Sequence, residues 1–140
     1  MSRENVEALR EMYAEWAKGN LWALRDVATP DVEWEWSPGL ASLSGGPRTY
    51  RGLDEIGAST LEWLAAWDSF WMTAEDFIDA GDQVLVPFRL TVVGKGTGVK
   101  IEESAFGLWT MQDGRAVRVR YYEDRDEALE AAGLPQDAPD

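Results

Sequence analysis

The sequence has no cysteine and no histidine, and its 13 basic residues are outnumbered by 26 acidic ones, giving a net charge of −13. No disulfide framework can form, and neither thiol nor imidazole is present to hold zinc. Catalysis by a cysteine nucleophile or a Ser–His pair is excluded for the same reason. A chain this acidic repels a phosphate backbone, so no nucleic-acid partner is expected. No apolar run approaches the roughly 18 residues of a membrane span, and the N-terminal MSRENVEALRE lacks the apolar stretch of a signal peptide. No membrane association and a cytoplasmic location are the corresponding expectations.

The chain does have tryptophan, eight in 140 residues. That length suits a single domain with its own core, expected over residues 1–134, with an acidic tail at 135–140 that frays. Much of the negative charge is local. Glu123, Asp124, Asp126, Glu127, Glu130, Asp137 and Asp140 face only Arg125 within residues 123–140, a pattern typical of a solvated surface.

Hydrophobic spacing divides the chain into elements. Val6, Leu9, Tyr13 and Trp16 recur at three- and four-residue intervals, which predicts a first helix with Ser2 as cap and Gly19 as stop. Asn20 is placed to cap a second short helix carrying Leu21, Leu24 and Val27, ended by Thr29-Pro30. Residues 31–36 (DVEWEW) alternate and read as a strand. Residues 37–52, rich in Gly, Pro and Ser, read as one long loop. A third helix is expected from Leu53 to Asp68, with Leu53, Ile56, Thr60 and Leu64 on one stripe and Trp63 and Trp67 beside it. The period then changes to two. Trp71–Ala80, Val84–Val93, Val99–Met111 and Arg115–Tyr122 read as a four-strand antiparallel meander, closed by a short helix over Asp124–Ala132. Helices before a run of strands make an α+β fold, with the helices on one side of a curved sheet.

The last hairpin can be read for its faces. A two-residue turn at Asp113-Gly114 pairs Gln112 with Arg115, and counting outward joins Phe106, Leu108 and Thr110 to Tyr121, Val119 and Val117 on an apolar interior face. The opposite face then carries Trp109, Arg118, Arg120 and Tyr122. Arginines among exposed aromatics suit a contact surface, so a homodimer through this outer face is expected.

Several strings resemble the SnoaL-like branch of the nuclear-transport-factor-2-like (NTF2-like) superfamily. They are Gly19-Asn20-Leu21, Asp31-Val32-Glu33-Trp34, Tyr50-Arg51-Gly52, Asp113-Gly114-Arg115 and the terminal DRDEALEAAGL (124–134). The resemblance spans about residues 2–134. It implies a cone-shaped half-barrel: about three N-terminal helices packed on a curved antiparallel sheet, a short C-terminal helix, an internal apolar pocket and a homodimer. It also implies chemistry without a cofactor, either isomerisation, cyclisation or hydrolysis by carboxylates, or ligand binding alone. In ketosteroid isomerases of this superfamily the helical tyrosine would fall on Met12 and the late aspartate near Phe106, leaving Glu35 as the one counterpart. The histidine-based dehydratases are excluded. The catalytic aspartate of the polyketide cyclases aligns with Asp124, nine residues before Gly133, where an aspartate also suits a helix cap.

The catalytic candidates are therefore Asp124, Glu35 and Glu123, with Tyr13, Tyr50 and Tyr121 as hydrogen-bond donors. General acid–base work requires one such carboxylate in an apolar pocket, where desolvation raises its pKa. Alternation sends Val32, Trp34 and Trp36 to one face and Glu33 with Glu35 to the other, whereas the resemblance turns Glu35 inward. Glu103 falls on the outer face in this register. Arg89, in mid-strand, is either paired outward with Glu102 or Glu103 or anchors an anion inside. Trp16, Trp34, Trp36, Trp63, Trp67 and Trp71 exceed what packing alone requires, and an indole N–H needs a partner. With Phe88, Phe106, Leu108 and Val119 they make candidate walls of a pocket for a small apolar or aromatic, even polycyclic, molecule. Gly94–Gly98 is a hairpin loop rather than a phosphate cradle, because no helix follows it.

Overall fold

A computed structural model describes residues 2–44 and 48–135. The expected fraying of the tail falls mostly on residues 136–140, outside the described residues, as does the side chain of Ser2. Helix α1 (Ser2–Ala17) is followed by a single 3₁₀ turn (Leu21–Ala23), α2 (Leu24–Val27), strand β1 (Ala28–Glu35), α3 (Pro38–Ser44), β2 (Thr49–Arg51) and α4 (Leu53–Ala65). Then come β3 (Trp67–Ala74), β4 (Ile78–Ala80), β5 (Gln83–Gly94), β6 (Lys100–Gln112), β7 (Arg115–Tyr122) and α5 (Arg125–Ala132). The strands form one sheet in the order β2-β1-β7-β6-β5-β3, with β4 pairing beside β3 on β5. The sheet is mixed rather than wholly antiparallel, because β1 runs parallel to β7. Among the described residues no helix is long and apolar enough to cross a membrane.

Local chemistry accounts for the departures from the sequence reading. Asn20 does not cap the turn that follows; its side-chain amide donates to Glu15 Oε1 at 3.1 Å. The segment read as one loop holds α3 and β2, and Glu123 accepts a hydrogen bond from Gly39 N at 3.0 Å, tying α3 to the end of β7. The single strand expected over Trp71–Ala80 is broken into β3 and β4. Pro87 stands opposite the break, brings no N–H to the ladder, and accepts instead from Glu75 N at 2.7 Å. The third helix stops at Ala65, and β3 starts at Trp67.

The largest correction concerns the last hairpin. Asp113 (φ 52°) and Gly114 (φ 78°) form the two-residue turn, and Gln112↔Arg115 and Met111↔Ala116 pair as expected. The register then shifts. Thr110 pairs with Arg118, leaving Val117 as the extra residue of a bulge, and Trp109 pairs with Val119. One residue of slip exchanges the faces of β6. Trp109, expected on the outer surface, is fully buried in the interior, where its indole N–H donates to Tyr13 Oη at 3.1 Å. Arg118, Arg120 and Tyr122 remain on the outer side, facing the same way as Thr110, Leu108 and Phe106.

Two apolar clusters result. The larger lies inside the curve of the sheet under α1, α2 and α4 and contains Leu9, Met12, Tyr13, Trp16, Val32, Trp34, Val86, Phe88, Trp109, Val119 and Tyr121. Gly107 suits this packing: a Cβ there would press on the Tyr121 ring, Trp109 Nε1 and Tyr13 Oη at 3.2–3.5 Å. The smaller lies on the outer side under α5 and joins Leu85, Leu108, Ala128, Leu129 and Ala132, with Phe106 and Tyr122 at its edge. Phe106 and Leu108, expected to line the interior, therefore belong to the α5 contact.

Candidate functional site

Helix α4 is buried fully only at Ile56, and its inner stripe lies over β1 and β3 without closing on them. Two adjoining clefts result. The first, about 70 Å³, runs between α4 and the α1–α2 segment and is walled by Trp16, Trp22, Arg25, Trp34, Trp36, Leu53, Ile56, Gly57, Thr60, Trp63, Phe70 and Met72, with Leu21 and Leu24 at the helical end. The second, about 90 Å³, lies on the other side of α4 and is walled by Trp34, Trp36, Tyr50, Ile56, Ser59, Thr60, Glu62, Trp63 and Ala66. Trp34, Trp36, Ile56, Thr60 and Trp63 border both, so these side chains form the partition between them.

The partition is a stack of rings. Trp36 lies against Tyr121 with centroids 4.7 Å apart and planes 26° from parallel. Trp63 is also near-parallel to Trp36 but more distant, at 6.0 Å and 23°. Trp63 in turn contacts Trp67 at 5.5 Å and Phe70 at 5.7 Å. Behind this stack Trp34 meets Trp109, Trp16 and Tyr121 edge-on or tilted at 5.2–6.3 Å. Offset and edge-on pairs of this kind each add roughly 0.5–1.5 kcal/mol to the apolar burial.

Polar groups are few. Thr60 Oγ1 donates to Ile56 O at 2.7 Å. The indole N–H groups of Trp16 and Trp63 are buried and make no hydrogen bond. Arg25, at the rim of the first cleft, holds its guanidinium 5.0 Å from the Trp22 ring. The carboxylate of Glu62 is at the exposed rim of the second, where it and partial burial raise the pKa of Tyr50, burial having the greater effect. Among the described residues no group of three or more Asp, Glu, His or Cys is arranged to hold a metal.

None of the three candidate catalytic carboxylates reaches either cleft. Asp124 is exposed and accepts from Glu127 N at 3.2 Å, capping α5. Glu123 is exposed and spends its carboxylate on Gly39 N. Glu35 is on the outer side of β1, 3.9 Å from both Arg48 and Arg120, while Glu33 pairs with Arg51, whose hydrogen bond and charge lower the Glu33 pKa. Alternation gave this orientation and the family resemblance gave the reverse; burial of Val32 and Trp34 decides it. Glu103 is in register with Leu90 on the inner side rather than the outer, but at an exposed end of the sheet. Arg89 faces outward and pairs with Glu102 at 3.4 Å.

Of the candidate walls, Trp16, Trp34, Trp36, Tyr50 and Trp63 line the clefts. Tyr13, Phe88, Val119 and Tyr121 are buried beneath them, and Trp67 supports Trp63 from behind. Trp71 shares a register position with Thr91 on the outer side and is 44% exposed. Sequence reasoning missed Leu21, Trp22, Leu24, Arg25, Leu53, Ile56, Gly57, Ser59, Thr60, Glu62, Ala66, Phe70 and Met72 as wall residues. The α4 stripe of Leu53, Ile56 and Thr60 was the available signal, because a stripe holding a threonine and a nearby tryptophan need not be wholly buried.

The buried tyrosines give the interior a pH dependence. Burial raises the pKa of Tyr13, against the lowering effect of the hydrogen bond from Trp109, and burial with the neighbouring Tyr13 raises that of Tyr121. Above about pH 10 the unfolded chain releases these protons while the folded chain retains them. Stability is therefore complete below pH 10 and falls above it by about 1.4 kcal/mol per pH unit for each such tyrosine. Urea unfolding at pH 9–11 is expected to show this slope, reduced in a Tyr13→Phe variant; an unchanged slope would contradict the assignment.

The sheet order, the helical cover and the cleft beneath α4 define an α+β cone of the NTF2-like class. Residues 9–119 match the model of the SnoaL-like domain, and the chain belongs to that family. An uncharacterised protein of Mycobacterium tuberculosis is 31% identical over 123 residues, covering 86% of this chain and 89% of its own. Among solved structures, an NTF2-like protein of unknown function from Burkholderia pseudomallei superposes with a TM-score of 0.76 at 24% identity, covering 91% of this chain and 95% of that one. TerC, crystallised with polyporic acid, gives a TM-score of 0.75 at 25% identity, covering 93% and 98%.

Proposed function

We propose that this protein binds a small planar apolar molecule in the divided cleft beneath α4, and that it does so without acid–base catalysis by Asp124, Glu35 or Glu123. The observation that carries this reading is the composition of the walls. The indoles of Trp16, Trp22, Trp34, Trp36 and Trp63 offer flat apolar contact, while Asp124, Glu35 and Glu123 are engaged in bonds elsewhere. None of these three carboxylates borders a cleft, so none meets a carbon acid bound there. The crystallisation of TerC with polyporic acid supports small-molecule binding by a fold of this shape.

Size narrows the ligand. An apolar cavity of about 150 Å³ admits one benzene. Each cleft here is smaller, at about 70 and 90 Å³, so a single ring enters when the two lobes join through movement of Trp63. This favours one inserted ring over a fully enclosed polycyclic molecule. Thr60 borders both lobes on the loosely held α4, so Thr60→Phe fills the space without disturbing the core. Chemical-shift titration with toluene is expected to show affinity reduced by about tenfold or more in this variant, with Tm within a few degrees of wild type. Equal affinity in the two proteins would place binding elsewhere.

A further inference from the structure

We infer that the cleft selects a ring bearing a neutral carbonyl oxygen, an inference that rests on the binding site proposed above. The walls of the first cleft have an excess of donors. Trp16 is more than nine-tenths buried, and its Nε1–H has no partner; Trp63 Nε1–H is likewise buried and unpaired. An indole can only donate, and so can the guanidinium of Arg25 at the rim. Against these stands a single acceptor on the shared partition, the Thr60 hydroxyl oxygen, whose own proton goes to Ile56 O. Buried donors left unpaired are costly, and most are satisfied in folded proteins. Both of these belong to rings that wall the first cleft, so a ligand acceptor entering there is their natural complement.

The stack shows where the ring goes. Two layers of aromatic carbon at van der Waals contact need roughly 7–8 Å between the outer planes. Trp36 and Trp63 are 6.0 Å apart at their centroids, wider than the 4.7 Å between Trp36 and Tyr121. An outward movement of Trp63 opens a slot for one ring. Trp63 is only half-buried and its neighbours Leu61 and Leu64 are exposed, so the movement has to displace only its edge and tilted contacts with Trp67 and Phe70. Opening the slot also frees the Trp63 N–H to meet an oxygen on the ring. The charge of the protein decides between acceptors: a net −13 disfavours a carboxylate, and Arg25 is exposed and already rests on Trp22.

The test compares toluene, acetophenone, benzoate and benzylammonium by titration of the ¹⁵N-labelled protein, following the indole N–H resonances. Acetophenone is expected to bind about tenfold more tightly than toluene, the worth of one well-made hydrogen bond to a buried donor. Benzoate is expected to be weaker than acetophenone at low salt, and benzylammonium, which brings no acceptor to the indole N–H groups, weaker than acetophenone as well. In Trp63→Phe, which keeps a ring and removes the donor, the preference for acetophenone over toluene is expected to fall at least threefold. Equal binding of toluene and acetophenone, with the cleft resonances moving for both, would overturn the carbonyl inference and leave the binding site standing. A preference undiminished in Trp63→Phe, or benzoate binding most tightly, would also overturn it. Failure of all four ligands to bind would overturn the binding site itself.

Discussion

Trp109→Ala is expected to cost the protein about 3–5 kcal/mol of stability, the range for removing a large aromatic from a packed core. Trp109 is fully buried, meets Tyr13, Trp16 and Trp34 within 6.3 Å, and satisfies the Tyr13 hydroxyl. Its loss leaves a cavity between α1 and the sheet and deprives a buried hydroxyl of its donor. Domains of this size are stable by roughly 5–15 kcal/mol in total, so the variant is expected to unfold at much lower urea, with Tm depressed by many degrees. Trp109→Phe retains most of the ring and is expected to recover part of the loss. The hairpin register is what this experiment examines. Had the pairing continued without the Val117 bulge, Trp109 would lie on the outer surface, and its removal would alter self-association with little effect on unfolding. A stability change under about 1 kcal/mol, or a change in sedimentation alone, would contradict the observed register.

Leu129→Ala is expected to destabilise by about 2–5 kcal/mol through a separate set of contacts. Leu129 is 1% exposed and joins Leu85, Leu108, Ala128 and Ala132 on the side of the sheet away from the clefts. With its side chain removed, α5 loses its anchor and uncovers an apolar patch that includes Leu108 and Phe106. Ligand affinity is expected to remain within twofold of wild type wherever the variant is folded, because no residue of this cluster borders a cleft. Urea unfolding together with the toluene titration checks both parts. A loss of affinity alongside intact stability would return Leu108 to the interior.

These two variants also mark how far the fold could be read from the sequence. Elements set by local chemistry were legible: the α1 stripe of Leu9, Tyr13 and Trp16, the Asp113-Gly114 turn, and Asp124 as a cap. The SnoaL-like strings identified the fold correctly. The bulge at Val117 was not legible. It arises where β7 must pair with β6 on one edge and β1 on the other, a constraint between strands distant in sequence. Helix α3 was hidden by the Gly, Pro and Ser composition of its segment, and its tie to Glu123 joins residues 84 positions apart. The tryptophans pointed to an aromatic-lined interior, but no local pattern showed that Trp71 faces outward. The carboxylates were the weakest part of the reading. Alternation alone placed Glu33 and Glu35 outside, and the resemblance to enzymes of the same fold argued the other way because a shared fold does not fix a shared site.

The eight indole N–H groups of this chain provide the most direct measurement of the central claim. In a titration of ¹⁵N-labelled protein with acetophenone, the resonances of Trp16, Trp36 and Trp63 are expected to move together with one dissociation constant. The resonance of the outward-facing Trp71 and the backbone amides of Glu123 and Asp124 are expected to stay in place. Movement of Glu123 and Asp124 while the indoles of the α4 cleft remain unchanged would contradict the account and return the site to the carboxylates.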